Sequence, residues 1–285
     1  MDTLLYTASG PVEKHYAVGN VEIADGHAEA EAAIGPWSRQ RDGRFAPGVI
    51  GPLVDMAWSQ AVLSHRPEGQ WGVSSEISVD FVAEPSAEGR MRASGVMLSV
   101  DSTGGVARGE VHDDSGALVA VGTLWSVFID GVPDSITTPT DSGPAGELGA
   151  TDEVEELQRA FDRSSTCFEE LVALRPEDDG LVLEQRPQMT NPLGVGHGGA
   201  LFAAAALAAT NAAAATNVAH STDDVHLESL RGVYVRPAVG DVTISSEVQH
   251  AGRKFTTLRV TATGADGRPA AYFTASMRKT QPCSA

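Results

Sequence analysis

The sequence predicts an α+β fold made from one unit used twice, a long helix followed by an antiparallel sheet. Three observations predict it. A helical stretch followed by four alternating segments occurs once in each half of the 285 residues. Landmarks recur at a nearly fixed spacing, since Pro85 and Pro237, Gly116 and Gly267, and Thr123 and Thr274 stand about 151 residues apart. Between the halves, residues 130–152 string Pro133, Pro139, Gly143, Pro144, Gly146 and Gly149 among Ser, Thr and Asp, a composition that buries little. The expected domains are 1–130 and 153–285, with a linker over 131–152.

In the first half, 48–65 reads as a helix, and period-two alternation gives strands over 73–83, 90–100, 106–112 and 118–129. The second half repeats the order, with a helix over 198–217 and strands over 225–235, 241–250, 255–263 and 270–279. Asp114-Ser115-Gly116 and Ala265-Asp266-Gly267 mark matching turns. The stretch 198–219 is about long enough to span a membrane. It is mostly Ala, however, contains Thr210, Asn211, Thr216 and Asn217, and lacks flanking Lys or Arg, so it reads as a buried helix of a soluble protein. Its small side chains suit close packing under a sheet.

Composition sets the outer bounds. Hydrophobic residues are 42% and charged residues 20%, which excludes collagen-like or largely disordered chain. A net charge of −18 argues against a nucleic-acid partner or an anionic membrane surface. From Arg231 onward, however, eight basic residues stand against three acidic ones. A solvated face is the ordinary reading of that segment, and a small anionic ligand is the sharper one. Cys167 and Cys283 make neither a disulfide framework nor a metal cluster, and residues 1–10 carry no secretion signal, so the expected compartment is the cytoplasm. His220 and His226 flank Asp223-Asp224, which reads as a solvated loop rather than a metal site. Serine-hydrolase, Walker, zinc-protease and Rossmann motifs are absent, and no cofactor or metal is expected.

The sharpest local signal is Asn191-Pro192-Leu193-Gly194-Val195-Gly196-His197-Gly198-Gly199, directly before the Ala-rich helix. The turn places the Gly198 and Gly199 N–H groups at a helix N-terminus, where they lack intrahelical partners and can hold an oxyanion or an anionic group. Asn, then His-Gly-Gly six residues later, then a long helix and four strands, resembles the hotdog-fold acyl-CoA thioesterases of the phenylacetate-pathway type. The resemblance covers nearly the whole chain if each half is one hotdog. It implies a tandem double hotdog, the two sheets joined side by side, with sites between the two units. In that family one hotdog supplies the Asn, the His and the Gly amide, and its partner supplies a carboxylate nine residues past its own His position.

Carried onto this chain, the motif splits. Nine residues past His197 stands Ala206, so the second half lacks the carboxylate. The repeat sets Ala46 against His197 and Gln40 against Asn191, and nine residues past Ala46 stands Asp55. The losses are complementary. Asp55 with Asn191, His197, Gly198 and Gly199 would build one complete catalytic site, while Ala46 and Ala206 would make a dead one. The ordinary readings are an acid satisfied by backbone amides for Asp55 and a turn histidine for His197.

The resemblance implies that the Gly198 N–H polarises a thioester carbonyl, that Asp55 acts as base or nucleophile, and that Asn191 holds the water or the carbonyl. It also implies a hydroxyl near the acid, at Ser74. Arg253 and Lys254, on a turn in the basic segment, are expected to bind the coenzyme A phosphates. Trp58, Trp71, Phe81 and Phe202 are candidates for the acyl wall. The expected function is hydrolysis of an acyl-CoA in lipid metabolism, with pairing of double hotdogs into a homo-oligomer. Two rivals stand beside it: a hotdog dehydratase or hydratase, and a non-catalytic acyl-CoA-binding module in which the split motif is decay.

Overall fold

A computed structural model describes residues 10–133, 153–161, 166–177, 180–216 and 225–279. The first half opens with the short helix α1 (Pro11–His15) and the hairpin β1 (Val18–Ala24) and β2 (His27–Ile34). The long helix α2 (Gly51–Leu63) follows, then β3 (Gln70–Phe81), β4 (Gly89–Asp101), β5 (Gly104–Asp113) and β6 (Leu118–Asp130). After α3 (Glu153–Phe161) and α4 (Phe168–Val172), the second half repeats the plan with β7 (Arg175–Glu177), β8 (Gly180–Leu183), the long helix α5 (Gly198–Thr216), β9 (Val225–Tyr234), β10 (Val242–Ala251), β11 (Phe255–Thr263) and β12 (Pro269–Lys279).

Among the described residues, twelve strands form one antiparallel sheet in the order β1-β2-β4-β5-β6-β3-β9-β12-β11-β10-β8-β7. The order is symmetric about the β3–β9 pair, where Ile77 faces Gly232 and Val79 faces Leu230. Here the two sheets become one. The two long helices and eight of the strands are those the sequence predicts, with ends shifted by no more than three residues. Each half carries one hairpin more than expected. The β2 segment His27–Ile34 alternates mainly Ala with Glu, residues depleted in strands, so its propensity is poor. Tertiary contacts fix it: Ala28, Ala30 and Ala32 are buried, and Glu31 pairs with Arg90 and Arg92 across to β4. The expected linker lies, from residue 134 on, outside the described residues, as do His220 and Cys283.

Each sheet wraps its own helix because small residues let it come close. Trp58 of α2 is fully buried against Gly95, Gly109 and Gly122 of β4, β5 and β6. A methyl group at Gly95 would sit 2.9 Å from the Trp58 Cα, so side chains there would push the helix off the sheet. By length and composition α5 could cross a membrane over Gly198–Ala215, yet it lies in the interior against α2 and β9–β12, with Ala200–Ala209 all buried. The two long helices also touch each other. A Cβ on Gly199 would fall 2.6 Å from the Pro52 backbone, so the first turns of α2 and α5 meet backbone to backbone. Asp55, one turn along α2, thereby arrives beside the first turn of α5.

Candidate active site

The segment before α5 is a pinned turn. The Asn191 N–H bonds the Val195 carbonyl at 2.8 Å and the Gly194 N–H bonds the Asn191 carbonyl at 2.9 Å, with Gly194 at φ 73°. Asn191 Oδ1 accepts from the N–H groups of Leu193 and Val195, at 3.0 and 3.3 Å. The flanks are held by the His197 N–H on the Met189 carbonyl and the Gly196 N–H on the Ala238 carbonyl. This rigidity aims the His197 side chain and the first two N–H groups of α5.

Asp55 meets them across the helix junction. Its Oδ2 accepts the Gly199 N–H at 2.6 Å and lies 3.3 Å from His197 Nδ1. Its Oδ1 accepts the Ser74 hydroxyl at 2.5 Å, from the start of β3. On the far side of the ring, His197 Nε2 stands 3.1 Å from Glu13 Oε1. Tyr234, the last residue of β9, donates to the Gly198 carbonyl at 2.8 Å. The Gly198 N–H has no partner among the described residues. Asp55, His197 and Glu13 are all buried.

Burial sets the electrostatics. Alone it would push the His197 imidazole down, but the Asp55 carboxylate and the hydrogen bond and charge of Glu13 outweigh it and raise the pKa to about 8. Burial alone would raise the Glu13 carboxyl, yet His197 and the backbone N–H groups of Glu13 and Gly10 bring it below its ordinary value. Burial, and the Asp55 charge after it, hold the Tyr234 phenol well above its ordinary value, so it stays a neutral donor. The upward shift favours the doubly protonated imidazole, in which Nε2–H points toward Glu13 and Nδ1–H toward Asp55. The Gly199 N–H, which also lies 3.1 Å from Nδ1, then belongs to Asp55.

These groups line a cavity of about 350 Å³ between the two halves. Its apolar wall includes Met56, Leu63, Trp71, Val127, Ile129 and Leu201. Of the aromatic residues expected there, only Trp71 takes part. Trp58 and Phe202 are buried in the core, and Phe81 lines a smaller pocket elsewhere.

The site differs from the sequence expectation in three respects. Asn191 lines the cavity, but its Oδ1 is used by the turn, which leaves its amide N–H groups to offer a ligand. The Gly199 N–H is used by Asp55 and cannot serve a second acceptor well. Arg253 and Lys254 do not line the cavity. Their hairpin lies level with Val225, because Phe255 pairs with Arg278 and Lys279 with Val225. Val225 is the opposite end of β9 from Tyr234, about 30 Å away at strand rise. Turn signals mark where a hairpin occurs but not which rim of the sheet it reaches. The exposed basic residue that does line the cavity is Arg236, just past β9.

Sequence reasoning missed Glu13. It lies 184 positions before His197 on a helix of five residues, and no spacing rule links the two.

Comparison with known proteins agrees with this architecture. The family model described as "Acyl-CoA thioesterase N-terminal domain" matches residues 186–278, and "Acyl-CoA thioesterase C-terminal domain" matches residues 5–123. Between them they cover most of the chain, in reverse chain order. No curated protein matches. Among solved structures the chain is similar to a TesB protein of Mycobacterium avium subsp. paratuberculosis (12% identity, 92% of this chain and 96% of that one, TM-score 0.60). It is also similar to acyl-CoA thioesterase II TesB2 of Mycobacterium marinum (11%, 96% and 98%, 0.58) and to a 12:0-ACP thioesterase of Umbellularia californica (11%, 90% and 95%, 0.58).

Proposed function

The chain belongs to the acyl-CoA thioesterase family as a double hotdog and is a thioester hydrolase, and we propose that it cleaves acyl-CoA at the single composite cavity between its halves. The observation that carries this reading is Asp55 of the first half held 2.6 Å from the Gly199 N–H and 3.3 Å from His197 of the second.

The thioester carbonyl oxygen is taken by the free Gly198 N–H at the positive end of α5, with the Asn191 amide lining the same cavity. Asp55 acts as the base. Its two oxygens are fixed by Gly199, His197 and Ser74, which orients the carboxylate to accept a proton rather than to swing onto a carbonyl carbon. Water gives its proton to Asp55 and its oxygen to the carbonyl carbon. The C–S bond then breaks, and the leaving thiolate takes up the proton that Asp55 accepted, which restores the carboxylate. The acyl chain lies along the apolar wall, and Arg236 meets a coenzyme A phosphate at the solvent edge. A cytoplasmic location fits such a substrate. The exposed row Trp125 and Val233, both beside Glu76 on β3, supports pairing of two double hotdogs through the outer sheet face.

The test is a panel of acyl-CoAs with thiol release followed by a thiol reagent. We expect hydrolysis of at least one member, lost in Asp55→Asn. Hydrolysis that survives this substitution removes the composite site, and no release from any acyl chain favours the binding module. Trapping separates base from nucleophile: attack by Asp55 itself forms an acyl–Asp55 anhydride that hydroxylamine captures as a modified Asp55, whereas a base forms no covalent adduct.

A further inference from the structure

Glu13 is a buried carboxylate that the hydrolytic scheme does not use. Its side chain is 7% exposed, and its ring partner is a histidine of the other half. Its remaining partners are backbone N–H groups at the start of α1, those of Gly10 and of Glu13 itself. Helix α1 brings it there by packing on the 3-10 turn Pro187–Met189, whose Met189 carbonyl accepts the His197 N–H. The nearby His15 faces away, with Nε2 on the Leu171 carbonyl at 2.9 Å.

The geometry points to Glu13 as a positioning residue of the site: by accepting the His197 Nε2–H it keeps the ring doubly protonated, so that Nδ1–H holds Asp55 Oδ2 in place. Three observations carry this. An imidazole with a carboxylate at 3.1 Å on one nitrogen and another at 3.3 Å on the other satisfies both only as the imidazolium. A neutral ring has one proton, and one of the two buried carboxylates would then face a ring nitrogen that has none to donate. The Gly199 N–H already bonds Asp55 Oδ2, so Nδ1 is not needed as its acceptor. The charged or titratable groups lining the cavity are Glu13, Asp55, His197, Tyr234 and Arg236. Tyr234 is neutral and Arg236 is exposed, so the two carboxylates govern the ring. The raised imidazole value agrees with this placement.

Sequence position makes the device unexpected. The catalytic loop and α2 come from opposite halves, and the group that sets the charge of their shared histidine comes from a third segment ahead of both.

The experiment is an NMR pH titration of histidine-labelled protein, with His197 assigned by its loss in His197→Gln. In Glu13→Gln the hydrogen-bond acceptor is kept and the charge is removed. We expect the His197 midpoint to fall by at least about one pH unit, and Glu13→Asp to restore part of the fall. An unchanged midpoint in a folded Glu13→Gln protein overturns the proposal, because a residue that merely caps α1 would not move it.

The kinetic readout rests on the hydrolytic reading. Protonated His197 is the working form, so wild-type kcat/KM should fall as pH rises through about 8. In Glu13→Gln the fall should begin at lower pH by the same interval, with little loss near pH 6. A kinetic limb that stays put while the NMR midpoint moves also overturns the positioning role. If the wild-type chain hydrolyses no acyl-CoA, the hydrolytic reading fails, and the NMR midpoint alone still decides whether Glu13 sets the charge of His197.

Discussion

The two turns before the long helices share their hydrogen bonds and differ in what they present. In the second half, Asn191 N–H bonds Val195, Gly194 N–H bonds Asn191 and His197 N–H bonds Met189. In the first, Gln40 N–H bonds Arg44, Gly43 N–H bonds Gln40 and Ala46 N–H bonds Ser38. Gly43 and Gly194 share positive φ, at 85° and 73°. Chemistry separates them. Where Gly198 offers a free N–H, the first half has Pro47, which has no N–H to offer and starts a 3-10 turn instead. Where Asp55 faces Gly198 and Gly199, Ala206 faces Gly48, with a Cβ at Gly48 only 2.6 Å from the Ala206 methyl.

The short helices complete the contrast. Helix α1 brings Glu13 to the first junction described, while α4 inserts Phe168 at the other, pinned by its N–H on the Arg39 carbonyl. The space beside Phe168 is about 10 Å³ and the adjoining pocket at Gln40, Arg44 and Pro47 about 110 Å³, against about 350 Å³ at the other junction. A duplicated unit keeps its backbone because the sheet requires it. On the proposed reading, one junction is free to lose its chemistry once the other carries the reaction.

Substitutions test this asymmetry. The largest effect is expected at Asp55→Asn, which should lower kcat about a thousandfold, within the range for a lost general base. Ala206→Ser at the matching position should leave kcat unchanged, and a kcat lost equally in both would make the two junctions equivalent. Next, Phe168→Ala should cost about 3–5 kcal/mol of stability in a denaturant titration, the cost of emptying a fully packed aromatic position, with kcat per folded molecule retained. A gain of a second active site on opening that plug would break the comparison from the other side. Ser74→Ala removes one hydrogen bond to a charged acceptor and should lower kcat about tenfold, with KM little changed. The smallest effect concerns the coenzyme. Arg236→Gln should raise KM several-fold, in keeping with loss of one exposed charge contact, while Arg253→Gln at the remote rim should not. The reverse result would move the phosphate contact to the plugged end.

Much of this was legible in the chain. The long helices, with the alternating strands after each, follow from local periodicity, and the hairpin turns at Gly116 and Gly267 both adopt positive φ, at 81° and 74°. The hairpins β1–β2 and β7–β8 were not legible, because Ala-rich or three-residue segments carry no strand signal until a neighbour pairs with them. The complementary losses at Ala46 and Ala206 could be read because the family resemblance supplies the motif and the repeat turns spacing into correspondence.

The sequence by itself determined two copies of a helix-and-sheet unit and the turn before α5, and the family resemblance, carried through the repeat, implied an acid from one copy for the histidine loop of the other. Tertiary structure alone decided which distant groups share that site. Strand register sends Arg253 and Lys254 to the far rim and leaves Arg236 at the cavity. The crossing of the first turns of α2 and α5 sets Asp55 beside Gly199, and the packing of α1 brings Glu13 to His197 across 184 positions. Periodicity records which face of an element is apolar. It holds no record of where two elements cross.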